Sequence, residues 1–209
     1  MRAFKFLGPG SVGLFSGFAW PRPKGGGPGA WVEAGGPLEP CRVGVHAVRG
    51  SNLLDWMDDE LWCVELAGRV IDDVGVLVAE RGRLLTRVVG WDEAAARELT
   101  EACTGRLHAR AVRAPDASAV AARVALADVI SLAAGARPDS GGAPHPDAAP
   151  SQAAVAANVG CVVAHTLAAT DEENDYATAF AAERAWQLQW LADRLDLGDP
   201  GDPAVGLFV

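Results

Sequence analysis

His46 stands in the segment Cys41-Arg42-Val43-Gly44-Val45-His46-Ala47. Its imidazole can exchange a proton near neutral pH, as a general base must. Such a base needs a carboxylate to hold one tautomer. The run Asp58-Asp59-Glu60 begins twelve residues later, and Glu65 lies in the alternating stretch that follows. Asp59 and Glu65 are therefore read with His46 as the catalytic set, their charge favouring the imidazolium. Arg81 and Arg83 flank Gly82 and suit a carboxylate, sulfate or phosphate on the substrate. Trp31 and Trp62, with Trp20 and Trp56, can wall a pocket. Each group also has a plain alternative. A strand histidine can simply bond a backbone carbonyl, two arginines can solvate a turn, and tryptophans fill cores.

Other chemistries find less support. Asn158, Cys161 and His165 share one stripe of a helix, and His145 precedes them, but the close ligand pairs of a zinc motif are missing. There is no Gly-x-Ser-x-Gly elbow, no phosphate loop and no dinucleotide fingerprint, and the glycines at 25–29 lead into no helix. No metal and no cofactor are expected. Cys41, Cys63, Cys103 and Cys161 form no Cys-x-x-Cys pair and read as reduced, buried, small apolar residues.

The elements that must carry these residues fall into two halves. Residues 1–91 hold Gly, Pro, Trp and short alternating runs; residues 92–197 are Ala-rich with helical period. Strands are expected at 3–7, 31–33, 43–48, 61–66, 74–79 and 84–89, the last two joined by a turn at Glu80-Arg81-Gly82-Arg83. In 61–66, Trp62, Val64 and Leu66 take one face and Leu61, Cys63 and Glu65 the other. Helices are expected from Asp92 to about 112, over 117–134, from Ser151 to about 169, and over 176–197. Residues 135–150 read as a flexible linker and 198–209 as a tail. The fold class is α+β: a mostly antiparallel, curled sheet packed against an Ala-rich helical part as one compact body.

Composition narrows the function. The chain has 209 residues, half of them hydrophobic, with a net charge of -9 and a pI near 4.9. Residues 1–100 carry 11 basic and 13 acidic groups, and the remaining 109 carry 7 and 14. An acidic surface argues against binding a phosphate backbone, so no nucleic-acid partner is expected. No membrane span is expected, because no unbroken apolar run approaches 18 residues. The N-terminus alternates like a strand, without the apolar length of a signal peptide, and a cytoplasmic location is expected. On the last helix Trp186 and Trp190 form a second apolar stripe, which suits packing or a homo- or heterodimer through 176–197.

The core Cys41-x-x-Gly44-Val45-His46-Ala47, the strand Asp59-Glu60-Leu61-Trp62-x-Val64-Glu65-Leu66 and the opening Arg2-Ala3-Phe4-Lys5-Phe6-Leu7 resemble a group of uncharacterised actinobacterial proteins. More distantly, the core is similar to a bacterial domain with a Gly-Phe-His-Ala-Cys hallmark. The resemblance covers about residues 1–110 and, for the closer group, Glu183-Arg184-x-Trp186-Gln187-x-x-Trp190-Leu191. Val48 stands where the hallmark has cysteine, so a role needing that thiol is not carried over. The resemblance implies a shared fold unit and site, without an activity. The order strand, Gly-x-His, turn, helix is also similar to ADP-ribosyltransferases, but the full catalytic set is missing.

Three functions follow as expectations. The first is a small cofactor-independent tailoring enzyme, performing elimination, cyclisation or related acid–base chemistry on a polar small molecule. The second is a non-catalytic binding or partner module. The third is a nucleotide-handling transferase.

Overall fold

The computed structural model describes residues 1–113, 117–135 and 149–198. The expected linker at 135–150, with His145, and the tail at 198–209 lie outside the described residues except at their edges. The architecture is α+β, as the change of period predicts. Two compact units form: Met1–Trp91 together with the chain from Ala192, and Asp92–Leu191.

The first unit contains β1 (Arg2–Leu7), β2 (Val32–Glu33), β3 (Val45–Ala47), a 3-10 turn (Gly50–Asp55), β4 (Glu60–Asp73) and β5 (Val76–Arg87). β1 pairs antiparallel with β4, and β4 with β5. The far edge of β5 pairs with β3 and then β2. Val48, just past β3, exchanges two 2.8 Å backbone hydrogen bonds with Phe4 of β1. That pair returns the row of strands to its start, so the curled sheet closes into a small barrel. Inward positions alternate as a pleat requires: Ala3 and Leu7, Val45 and Ala47, Trp62, Val64 and Leu66, with Leu77, Ala79 and Leu84 opposite. Burying this set drives the folding of the unit.

The expected turn at 80–83 does not exist. β5 runs unbroken through Glu80, Arg81, Gly82 and Arg83. The reversal lies earlier, at Val74-Gly75, where both residues have positive φ (30° and 83°) as a two-residue hairpin demands. Gly82 is a place of close approach: a Cβ there would strike Val45 and Leu66. The short helical turn is also uncapped by Ser51; Arg49 holds the N-cap position without a side-chain bond.

Gly44 opens β3 with φ +137°, and a Cβ there would strike Val78 of the neighbouring strand. No L-residue adopts that backbone at ease. Gly44→Ala is therefore expected to cost about 2–3 kcal/mol by combined strain and overpacking. Urea denaturation checks it, and a variant within experimental error of wild type would contradict the expectation.

The second unit holds α1 (Glu93–Arg113), α2 (Ala117–Ala134), α3 (Gln152–Ala169) and most of α4 (Tyr176–Leu195). Asp92 caps α1 by accepting from the Ala95 amide at 2.8 Å. Ser151 caps α3, and Asp175 caps α4 through the Ala177 and Thr178 amides. α1 packs on α2 and α3, and α2 on α3. By length and composition alone α3 is long and apolar enough to cross a membrane, with mean hydropathy 1.4, and 44% of it is buried within the protein. The cysteines correct an expectation. Cys103 is buried and its thiol is pushed up to about 12, chiefly by desolvation, but Cys41 and Cys161 are exposed.

Candidate functional site

The expected catalytic set does not assemble. His46 lies on β3 between inward Val45 and Ala47, half-buried. Its Nδ1 is 3.0 Å from the Gly44 carbonyl, and its Nε2 is buried without a partner. Among the described residues no carboxylate is bonded to it. Burial first, and then the Lys5 ammonium, hold its pKa below the usual histidine value, the reverse of the expected imidazolium. Glu65 is used elsewhere. Its Oε2 accepts from Nε and Nη2 of Arg83, both at 2.7 Å. The Arg83 and Arg81 guanidiniums lie 4.4 and 4.9 Å from the Trp31 ring. Glu65, Arg81, Arg83 and Trp31 thus meet as a cation–π cluster, because β4, β5 and β2 set them side by side. Trp186 carries the Arg106 guanidinium 4.1 Å above its ring, and Trp190 is half-buried.

A different set gathers at one end of the barrel. Pairing of β1 with β4 places Lys5 opposite Trp62 and Leu7 opposite Glu60. Glu60 is buried at 6% exposure, and both its oxygens are occupied. Oε2 accepts from Ser11 Oγ at 2.7 Å and Trp62 Nε1 at 3.0 Å. Oε1 accepts from the Gly10 amide at 3.2 Å and Arg22 Nη2 at 3.3 Å. Arg22 Nε also donates to Ser11 Oγ at 2.9 Å. Burial would raise the Glu60 pKa, but the Ser11 and Trp62 bonds outweigh it, with help from Arg87 and Arg22, and the carboxylate stays ionised. Ser11 has φ +59° and no exposed surface, so this network fixes a backbone that serine rarely adopts.

Asp58 is the counterpart. Its carboxyl lies against the turn at Gly8 and Val12, where a Cβ on Gly8 would come within 3.6 Å of Oδ2. Its main-chain carbonyl accepts from Trp91 Nε1 at 2.7 Å, which anchors the residue. Oδ1 accepts from the Asp59 amide, whereas Oδ2 is buried with no partner. Desolvation chiefly, and then the charges of Asp59 and Glu60, push its pKa up. Asp59 itself supplies an amide and a charge and has no bond to His46.

Lys5 points inward between Ala3 and Leu7. Its Nζ donates to the His46 carbonyl at 2.7 Å and lies 5.0 Å from the Trp20 ring. Desolvation lowers its pKa from 10.5 to about 8. Of this group the sequence singles out Trp62 and Trp20, and offers Asp58 and Glu60 only as alternatives. Lys5, Ser11 and Arg22 escape a reading of the sequence. An amine in an alternating apolar strand is the one signal that could have found Lys5. Comparison with protein-family models, curated proteins and solved structures finds no match to this chain, so its own side chains are the ground on which its chemistry is read.

Proposed function

We propose that the barrel unit performs cofactor-independent acid–base chemistry on a small polar molecule, elimination of water being the simplest case. One observation carries the reading. Asp58 and Glu60, two positions apart, are pushed in opposite directions, one toward the neutral acid and one toward the anion. Carboxyl groups separated in this way divide the roles of proton donor and electrostatic support. Asp58 is the donor, and its buried, partnerless Oδ2 is the oxygen that has a hydrogen bond left to make. Glu60, saturated by four donors, adds its charge to the desolvation that raises the Asp58 pKa, and orients Ser11. Lys5 is the base, because burial lowers its pKa to about 8, so that a neutral amine becomes available as pH approaches that value. In an elimination the amine takes the proton next to a carbonyl or carboxyl. The double bond forms as the hydroxyl leaves with the Asp58 proton, as water. Solvent then returns the proton from the ammonium to the carboxylate.

A panel of small hydroxy and oxo acids, incubated with the protein in deuterium oxide and followed by proton NMR, tests the proposal. Wild type is expected to exchange a carbon-bound proton, or to dehydrate, at least one of them. Asp58→Asn is expected to lose about a hundredfold or more in rate. Equal rates in both proteins, or no reaction across the panel, would reject the proposal.

A further inference from the structure

The helical unit contains a cleft of about 300 Å³, at the small end of ligand sites. Its charged groups come from α1, α4 and the segment before α4. Arg106 is already matched: its Nε reaches both oxygens of buried Glu183 at 2.8 and 3.1 Å, and its Nη2 reaches Oε2 at 2.7 Å. One turn along α1, Arg110 lines the same cleft with its Nε buried and without an acceptor. Across from it, Asp171 is fixed as a carboxylate. Its Oδ1 accepts from the Glu173 and Asn174 amides at 2.9 and 3.0 Å, while Oδ2 receives only a long 3.3 Å contact from the Asn174 side chain.

The cleft therefore offers one cation whose Nε lacks an acceptor and one solvent-open anchored anion, beside an ion pair that is neutral overall. The Arg110 and Asp171 charges act on each other, so a ligand of single charge meets an opposing like charge as well as its match. A ligand with both charges satisfies both. Leu167, Ala179 and Ala182 form the apolar part of the wall. We infer that this cleft binds a small aliphatic α-amino acid, its carboxylate on Arg110, its ammonium on Asp171 and its side chain against Leu167, Ala179 and Ala182. The guanidinium fork suits a carboxylate with two oxygens, and the nearly free Oδ2 suits an ammonium. Nothing in this assignment depends on the chemistry proposed for the barrel.

Calorimetric titration of the full chain with L-leucine, 3-methylbutylamine, 4-methylpentanoate and inorganic phosphate tests it. L-leucine is expected to bind at least about tenfold more tightly than the other three. Arg110→Gln is expected to weaken L-leucine binding by about tenfold or more, and Asp171→Asn to remove the preference over 4-methylpentanoate. Should Arg110→Gln fail to fold, the Arg110 Nε–H signal in wild type gives a direct readout, because L-leucine must shift it. Binding of 4-methylpentanoate or phosphate as tight as that of L-leucine would replace the amino acid with a simple anion and overturn the inference. So would absence of saturable L-leucine binding, or an Arg110 signal that does not move.

Discussion

Lys5→Met should make the protein more stable at pH 7, by about 3 kcal/mol, while abolishing its chemistry. The magnitude comes from the amine's fall from 10.5 to about 8, driven by desolvation in the barrel interior. In the unfolded chain the amine keeps its proton up to the ordinary value. The folded state releases it earlier, so the unfolded state binds more protons across the window from about 8 to 10.5. Stability of the wild type must then rise with pH through that window. Below it the cost of the buried charge is fully present, and above it the cost is gone. Methionine has a similar shape and no charge, so the variant avoids the cost at pH 7 and its advantage shrinks as pH climbs toward 10.5. Urea denaturation at pH 7 and pH 10 measures both. His46 supplies a second reading: the Lys5 charge lowers its pKa, so the variant's His46 must titrate higher by NMR. A Lys5→Met protein that is less stable at pH 7 would mean that the bond to the His46 carbonyl and the Trp20 contact outweigh desolvation.

Glu60→Ala should act in the opposite direction and cost about 3–5 kcal/mol. Four donors converge on that carboxylate, two of them the buried Ser11 hydroxyl and Trp62 indole. Each of those two loses its acceptor at a cost of about 1–3 kcal/mol. Arg22 adds little, because half of its side chain is exposed. Ser11 also loses what holds its left-handed backbone, so the turn from Gly8 to Val12 should loosen and expose Asp58. The pH dependence has a definite sign. The folded pKa of Glu60 is lowered, so its contribution is present above the ordinary value of 4.5 and disappears as pH falls through the folded value. Glu60→Gln, which keeps the shape, should cost less than the alanine variant and flatten the acid limb of the stability curve. Denaturation midpoints from pH 3 to 7 decide the matter. An alanine variant within about 1 kcal/mol of wild type would show that solvent replaces the carboxylate, and would remove the electrostatic support claimed for Asp58.

What the sequence settles by itself is the class of structure and the assignment of local faces. Alternation alone puts Trp62, Val64 and Leu66 on one face and Leu61, Cys63 and Glu65 on the other, since a pleat has period two and only one face can join the barrel interior. Asp92 and Ser151 start their helices because a short side-chain oxygen meets the amides that a first turn leaves open. Gly44 before a strand allows a close approach of the backbone, but its positive φ and the approaching Val78 appear only in the folded chain. Local pattern goes no further. Gly82 looks like a turn, yet it lies in a long strand, because glycine marks close approach as readily as reversal and only Val45 and Leu66 on neighbouring strands decide which. On α4 the buried stripe runs Ala179, Glu183, Gln187, Leu191. Hydrophobicity could not find it, because Arg106 and the Gly160 carbonyl, which make those polar residues fit, come from α1 and α3. The candidate site obeys the same logic. Asp59 and Glu65 are near His46 along the chain, but strand pairing assigns Glu65 to Arg83 and leaves Asp58 beside Gly8. Lys5 becomes unusual only when closure through Phe4 and Val48 surrounds it with the barrel interior. Acidity depends on burial and on charges brought from distant parts of the chain, and those exist only once the chain has folded.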